Sequence, residues 1–124
     1  MSEEVRTILV VDDSRTARMM IRSITLGMHP KWIVLEAEND VDALAIVDRD
    51  TPNCITMDFN MPGMNGLEIA GIVLKKYPGT RIVLFTANVQ EATRQQAKAL
   101  GVDFVAKPIT EQSVTQALMT FSHD

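Results

Sequence analysis

The sequence predicts an α/β fold in three layers, a doubly wound parallel sheet of five strands with helices on both faces. Five short apolar runs alternate with five segments of helical spacing, a pattern typical of parallel strands joined by crossover helices. The runs are continuously apolar, which is typical of strands covered on both faces. The chain has 124 residues, of which 46% are hydrophobic, so we expect one domain over residues 1–124 with its own core.

The strands are expected where β-branched and other apolar residues cluster between turn-forming residues. These runs cover residues 7–11, 32–37, 54–58, 81–86 and 103–106. The third run begins with Cys54, the only cysteine, so the chain cannot form an internal disulfide. We interpret Cys54 as a buried small hydrophobe rather than a reactive thiol.

The helices are expected between these runs, where start and stop signals bound the helical spacing. The first helix covers residues 15–26, with Ser14 or Asp13 as its cap and Gly27 at its end. The third covers residues 67–77. Candidate caps of the second, fourth and last helices are Asn39 or Asp40, a capping box from Asn88 to Glu91, and Thr110.

Apolar residues at helical spacing indicate which helix faces pack on the sheet. The candidates in the second helix are Val41, Leu44 and Val47, and those in the fourth are Val89, Ala92 and Leu100. The fourth helix is otherwise polar, so little burial holds it in place. We expect it either to move easily during function or simply to be an exposed helix.

Composition and charge exclude several classes of protein. The formal net charge of −4 disfavours nonspecific binding to nucleic acid. The polar, acidic N-terminus does not resemble a signal peptide, and no apolar run approaches the roughly 20 residues of a membrane span. We therefore expect a soluble cytoplasmic protein with no membrane insertion.

Four of the five predicted strands carry polar side chains at their carboxyl ends, either as the last strand residue or directly after it. They are Asp12 and Asp13, Asp58, Thr86, and Lys107. Because the carboxyl ends of parallel strands lie at one edge of a sheet, we expect these groups to converge. A plainer interpretation is an acidic sheet edge in which Lys107 is an ordinary salt-bridge partner.

Three converging carboxylates require a cation or raised pKa values, because two like charges about 4 Å apart repel by on the order of 4 kcal/mol at an effective dielectric constant near 20. Oxygen ligands select a hard divalent ion, and Mg²⁺ commonly takes one or two carboxylates and several waters. Lys107 and the Thr86 hydroxyl would suit an anionic group that arrives with the metal. This set of charges indicates a phosphoryl site in which a carboxylate is a candidate acceptor.

The chain resembles the response-regulator receiver domains of two-component signalling over nearly its whole length. The resemblance rests on Val10-Val11-Asp12-Asp13-Ser14, on residues 57–66, on Thr86-Ala87 and on Lys107-Pro108, in that order and spacing. It implies the flavodoxin-like strand order 2-1-3-4-5 and a Lys107-Pro108 peptide bond that is often cis. The single-domain form is similar to chemotaxis response regulators and to stand-alone receivers that relay phosphate.

The resemblance implies a role for each matching residue. Asp58 would accept a phosphoryl group from a phosphohistidine, and Lys107 would bond that group. Thr86 would move toward it, and Phe104 would swing inward as a switch, although Phe104 could equally be a plain strand residue. The implied Mg²⁺ ligands are Asp12, Asp13, Asp58 and the backbone carbonyl of Asn60.

Several further residues have two interpretations. Asn60 and Asn88 could orient attacking water and so set the phosphoryl lifetime, or serve turn chemistry and helix capping. Arg15, Arg18 and Arg22 recur at helical spacing and form either a solvated face or a docking site for a phosphodonor protein.

The implied partners are a histidine kinase or histidine phosphotransfer protein as donor, a downstream protein target, and a phosphatase. We expect a monomer that signals by contact through the fourth helix, fifth strand and last helix, to a motor switch or in a phosphorelay. It would catalyse only its own phosphorylation and dephosphorylation. The alternatives are a Mg²⁺-dependent phosphohydrolase with an aspartyl-phosphate intermediate, for which Asn60 stands where a second acid is usual, and a phosphorylation-independent interaction module.

Overall fold

The computed structural model describes residues 5–87 and 90–122, within which five strands and five helices alternate. The strands are β1 (Thr7–Val11), β2 (Ile33–Ala37), β3 (Cys54–Asp58), β4 (Arg81–Thr86) and β5 (Asp103–Ala106). The helices are α1 (Arg15–Met28), α2 (Asp40–Asp50), α3 (Gly66–Lys76), α4 (Glu91–Leu100) and α5 (Glu111–Ser122). The strands pair in the order β2-β1-β3-β4-β5 and all pairs are parallel, which confirms the predicted fold class and strand order.

Two apolar cores lie on the two faces of the sheet. On one face, α1 contributes Ile21, and α5 contributes the buried residues Val114, Ala117, Leu118 and Phe121. On the other face, α2, α3 and α4 pack through residues such as Ala43, Ile69 and Ala97. All five residues of β3 are buried, as expected for the central strand of a sheet covered on both sides, and Cys54 is buried as predicted.

The start of α1 follows the prediction, but its end does not. The Ser14 side chain caps the helix by accepting the Ala17 N–H at 3.2 Å. The helix continues through Gly27 to Met28, so the prediction that Gly27 ends it is wrong. It stops where the chain turns, because the Trp32 N–H donates to the His29 carbonyl at 3.0 Å and the two rings stack with centroids 4.0 Å apart.

The sheet-facing residues of two helices differ in part from those predicted, although Val47 of α2 is buried and Leu44 packs partly buried against the core, as predicted. Val41 of α2 is 72% exposed, and Ala92 and Leu100 of α4 are also exposed. The buried residues of α4 are Thr93 and Ala97, one turn apart. Hydropathy favours Ala92 over Thr93, but the position of α4 on the sheet turns Thr93 inward.

The predicted capping box from Asn88 to Glu91 is wrong, because α4 begins later in the chain than that box requires. The helix begins at Glu91 with Gln90 as its N-cap, and the Gln90 side chain makes no capping hydrogen bond to the first turn. Asn88 and Val89, on which the prediction rested, lie outside the described residues. The caps of α2 and α5 follow the prediction, since Asn39 accepts the Asp42 N–H at 2.8 Å and Thr110 accepts the Ser113 N–H at 3.0 Å.

Candidate functional site

The strand ends bring the predicted acidic residues together at the carboxyl edge of the sheet. Asp12 and Asp13 follow β1, and Asp58 is the last residue of β3, the neighbouring strand. One carboxylate oxygen from each of the three acids lies within 4.8 Å of the others. Asp12 and Asp58 are buried, whereas Asp13 is exposed, so the cluster is open to solvent on the side of Asp13.

Lys107 reaches the same point from the segment that follows β5. Its Nζ lies 2.8 Å from Oδ1 of Asp58, whose side chain is 2% exposed. The backbone N–H of Asn60 donates to the same Oδ1 at 3.3 Å. The Lys107-Pro108 peptide bond is cis. Asp58 is therefore held by an ammonium group and a backbone amide at the end of the buried central strand.

Burial raises the pKa of both inner acids. For Asp58, desolvation is the largest cause, and the hydrogen bond and charge of Lys107 oppose it without cancelling it. For Asp12, desolvation again raises the pKa, the Ser14 N–H lowers it, and the charge of Asp58 raises it further. The folded protein thus disfavours the charged form of these carboxyl groups when no cation accompanies them.

The donor set fits a hard divalent cation. Three carboxylates supply only oxygen ligands, and the exposed side at Asp13 leaves room for waters. Desolvation and the charges of neighbouring acids raise the pKa values of Asp12 and Asp58. A bound cation would stabilise the charged carboxylates and so offset both effects. The acidic cluster is therefore able to bind a metal ion.

Thr86 and Phe104, the predicted switch residues, lie on the neighbouring strands β4 and β5. Thr86 ends β4 and is fully buried, and its carbonyl accepts the backbone N–H of Lys107 at 2.9 Å. Phe104 pairs with Leu84 of β4 in register and packs partly buried against the core under α3 and α4. The guanidinium carbon of Arg94 in α4 lies 5.1 Å from the centroid of the Phe104 ring. Because Thr86 is two residues beyond Leu84, both predicted switch side chains belong to the same face of the sheet.

The loop after Asp58 is fixed by contacts that sequence reasoning did not identify. At its end, Asn65 and Glu68 form a capping box that begins α3. The backbone N–H of Gly66 donates to the Phe59 carbonyl at 3.0 Å, and a Cβ on Gly66 would lie 2.5 Å from the Asp58 carbonyl oxygen. The sequence Asn-Gly-Leu-Glu carries the signal of an N-cap followed three residues later by an acid.

Asp40 of α2 holds the middle of this loop. Its Oδ2 accepts the Met64 N–H at 3.2 Å, and its Oδ1 accepts the Val41 N–H at 2.8 Å. Gly63 has a φ of +81°, and a Cβ there would lie 2.7 Å from Asp40 Oδ2. No local sequence signal links Asp40 to a loop more than 20 residues away, so this contact could be found only in the fold.

The three arginines of α1 do not form the single surface that their spacing suggests. Arg15 is exposed, but the Arg18 side chain is only 13% exposed and binds Glu36 of β2 through its Nε at 3.0 Å. Arg22 also contacts Glu36, at 3.4 Å. The interpretation as a solvated face is therefore wrong for Arg18, whereas the docking site for a phosphodonor protein stays a prediction. Asn60 is exposed beside the cluster, and Asn88 lies outside the described residues.

Comparison with known families gives a match over most of the chain. A family model for the response regulator receiver domain matches residues 8–119. The chemotaxis protein CheY of Listeria monocytogenes is 33% identical over 112 residues, which cover 90% of this chain and 93% of that protein. A protein-glutamate methylesterase/protein-glutamine glutaminase of Pyrococcus abyssi is 33% identical over 110 residues, or 86% of this chain. The chain spans only 30% of that relative's length.

Solved structures give the same result. The chemotaxis response regulator CheY4 of Vibrio cholerae superposes with a TM-score of 0.83 at 26% identity, covering 95% of this chain and 99% of the other. The response regulator domain of Thermotoga maritima CheB gives a TM-score of 0.80 at 29% identity, covering 98% of this chain and 99% of the other.

Among the described residues, no helix has the length and apolar character needed to cross a membrane.

Proposed function

Because the chain belongs to the response regulator receiver domain family, we propose that Asp58 accepts a phosphoryl group from a phosphohistidine and that the resulting charge switches a protein-binding face. The observation that carries this proposal is the position of Asp58. Its buried carboxylate lies 2.8 Å from Lys107 and shares a cluster with Asp12 and Asp13. An acceptor, a cation ligand set and a fixed positive charge therefore converge on one point.

In the proposed transfer, a carboxylate oxygen of Asp58 attacks the phosphorus of the donor's phosphoimidazole. The new O–P bond forms as the N–P bond breaks, and the bonding electron pair stays on the imidazole nitrogen, which then takes a proton. Lys107 faces charge that spreads over the phosphoryl oxygens during this step, and the Thr86 hydroxyl would donate to one of them. The central strand β3 holds Asp58 in place for the attack.

Mg²⁺ is the cation proposed for the cluster, held by Asp12, Asp13 and Asp58 and by the backbone carbonyl of Asn60. When bound, it would offset the repulsion between these acids and the incoming phosphoryl oxygens. Asp13, on the exposed side, is the acid best placed for a partly hydrated ion. The side chain of Asn60 is proposed to influence the lifetime of the phosphoryl group more than its acceptance.

The signal is proposed to leave through α4, β5 and α5. A phosphoryl group on Asp58 would draw Thr86 toward it, and Thr86 and Phe104 share one face of the sheet beside α4. Only Thr93 and Ala97 of α4 are buried, so the helix is weakly anchored. A coupling free energy of about 1 to 3 kcal/mol, which is typical of such switches, would change the affinity for a partner about 5- to 150-fold.

Receiver domains interact with histidine kinases and with downstream proteins, and we propose both kinds of partner for this chain. Its near-complete overlap with the Listeria CheY supports action as a stand-alone cytoplasmic regulator of the chemotaxis or phosphorelay type, as a monomer and with a phosphatase as a further partner. Its chemistry would be limited to its own phosphorylation and dephosphorylation. Asn60, two residues after Asp58, argues against the phosphohydrolase alternative, because a second acid is usual there.

Transfer from a donor tests this proposal. A histidine phosphotransfer protein carrying a radiolabelled phosphoryl group is mixed with the wild-type protein and with Asp58→Asn in the presence of Mg²⁺. We expect label to move to the wild type alone, and Asp48→Asn, which alters an acid of α2 outside the cluster, to behave as the wild type. Equal labelling of wild type and Asp58→Asn would contradict the assignment of the acceptor.

A further inference from the structure

Arg18 differs from the other arginines of α1 in what it holds. Its Nη1 donates to the backbone carbonyl of Asp12 at 2.7 Å, while its Nε donates to Oε1 of Glu36 at 3.0 Å. One guanidinium therefore ties the chain segment after β1 to strand β2. Arg22, one turn further along α1, contacts the same Glu36 and the Val34 carbonyl, and its side chain is 47% exposed.

The hydrogen bond from Arg18 holds the peptide group that joins Asp12 to Asp13. The carbonyl of Asp12 belongs to the planar unit that joins Asp12 to Asp13, so its direction sets the plane from which both acidic residues leave the backbone. Two other bonds hold Asp12: its N–H donates to the Ala37 carbonyl at 3.1 Å, and its Oδ1 accepts the Ser14 N–H at 2.8 Å. Of these three bonds, only that of Arg18 fixes the Asp12 carbonyl.

We propose that Arg18, oriented by Glu36, is a positioning residue that sets the Asp12-Asp13 peptide group for binding of a divalent cation at the acidic cluster. The inference rests on the cation binding that is part of the proposed function. It assigns Arg18 no contact with the phosphoryl group or with a partner protein. Glu36 acts through Arg18, because it binds the guanidinium and not the cluster.

The sign of the effect separates positioning from charge. Removing a positive charge near three carboxylates should, by charge alone, strengthen the binding of a cation. Losing the orientation of a metal-binding segment should weaken it, and loss of groups that orient metal ligands commonly lowers affinity about 10- to 100-fold. Arg22→Gln removes the same charge from the same Glu36 without touching Asp12, so it is a matched control.

The test is calorimetric titration with Mg²⁺ alone of the wild type, Arg18→Gln, Arg18→Lys and Arg22→Gln, each checked for folding by circular dichroism. We expect the Kd to rise about 10-fold in Arg18→Gln and by less in Arg18→Lys. For Arg22→Gln we expect no increase. At saturating Mg²⁺, the rate of phosphorylation of Arg18→Gln should return to within about twofold of the wild type, since positioning and not chemistry is lost.

Two results would overturn the inference, and they are distinguishable. If the wild type binds Mg²⁺ and Arg18→Gln binds it equally or more tightly, Arg18 does not position the site, while the proposed function stands. If the wild type itself shows no binding, the proposed function fails and the inference fails with it. Should Arg18→Gln not fold, Arg18→Lys, which retains the charge but not the two-sided fork, decides by the same comparison.

Discussion

Lys107 places its Nζ 2.8 Å from Oδ1 of Asp58, on a carboxylate that is 2% exposed. The pair joins the end of the central strand to the segment after the edge strand β5. A positive charge therefore already lies where the proposed phosphoryl group would be attached. The pKa of Asp58 is still raised, because desolvation outweighs the contribution of Lys107.

Replacing Lys107 should slow phosphoryl acceptance. We expect Lys107→Met to lower the rate of phosphorylation by a small phosphodonor at least about 10-fold, because the fixed charge beside the transferred group is lost. Binding of Mg²⁺ should remain, since the substitution removes the positive charge of the Lys107 side chain and leaves all three carboxylates in place. Stopped-flow measurement of the reaction, with Lys75→Met of α3 as an exposed control, checks this, and an unchanged rate would refute the role of Lys107.

Neutralising Asp58 should stabilise the cation-free protein. Its raised pKa means that the folded state binds more protons than the unfolded chain, so its contribution to stability falls as pH rises above the ordinary value of 3.8. At pH 7 we expect Asp58→Asn to have a Tm about 4 °C higher than the wild type, or roughly 1 kcal/mol, when Mg²⁺ is absent. The difference should shrink at lower pH and on addition of Mg²⁺, as followed by thermal melts.

Asp48 is a second acid, and its pKa is shifted in the opposite direction. The hydrogen bonds from Tyr77 and Lys76 lower the pKa of Asp48, so Asp48→Asn should not stabilise the protein at pH 7. If both substitutions shifted the Tm in the same direction, the electrostatic account of the cluster would be wrong.

Gly66 should tolerate no side chain. A Cβ there would lie 2.5 Å from the Asp58 carbonyl oxygen and 2.8 Å from Cδ1 of Leu84. We expect Gly66→Ala to cost about 1–3 kcal/mol in the free energy of unfolding. Gly71, also in α3, has nothing within 4 Å of the equivalent Cβ, so Gly71→Ala should stabilise by about 0.5–1 kcal/mol. Urea unfolding measures both, and a stabilised Gly66→Ala would contradict the packing described.

Removing the hydroxyl of Thr56 should stabilise the protein. Its Oγ1 is buried and has no hydrogen-bond partner among the described residues, on the central strand below Asp58. We expect Thr56→Val to raise the free energy of unfolding by about 1 kcal/mol, because an unsatisfied polar group is removed. Thr25→Val is the control, since the Thr25 hydroxyl donates to the Ile21 carbonyl at 2.7 Å and its loss should not stabilise. Equal effects of the two would refute the prediction.

The sequence was sufficient to predict the sheet and the set of charged groups at its edge. Each strand is indicated by a local apolar run, and a parallel sheet necessarily places the carboxyl ends of those runs, with Asp12, Asp58 and Lys107, at one edge. The inward faces of α2 and α4 were less predictable. The sheet-facing stripe of α4 runs through Thr93 rather than Ala92, which depends on how the helix lies on its neighbours.

The residues that support the site could not be predicted for a related reason. Arg18 and Arg22 are the same residue type at helical spacing, and only the structure shows that Arg18 donates to the Asp12 carbonyl whereas Arg22 contacts Glu36 and Val34. Asp40 likewise gains its role from a loop brought to it by the fold. Contacts between segments distant in sequence leave no local pattern, so they require the three-dimensional structure.

Intact-protein mass spectrometry decides whether Asp58 is a Mg²⁺-dependent phosphoryl acceptor. The protein is incubated with a small phosphodonor and Mg²⁺, alongside Asp58→Asn and a sample containing a chelator. We expect one phosphoryl adduct on the wild type and none on either control. No adduct in any sample, with Mg²⁺ shown to bind, would rule out Asp58 as a phosphoryl acceptor and indicate a constitutive interaction module on the same fold.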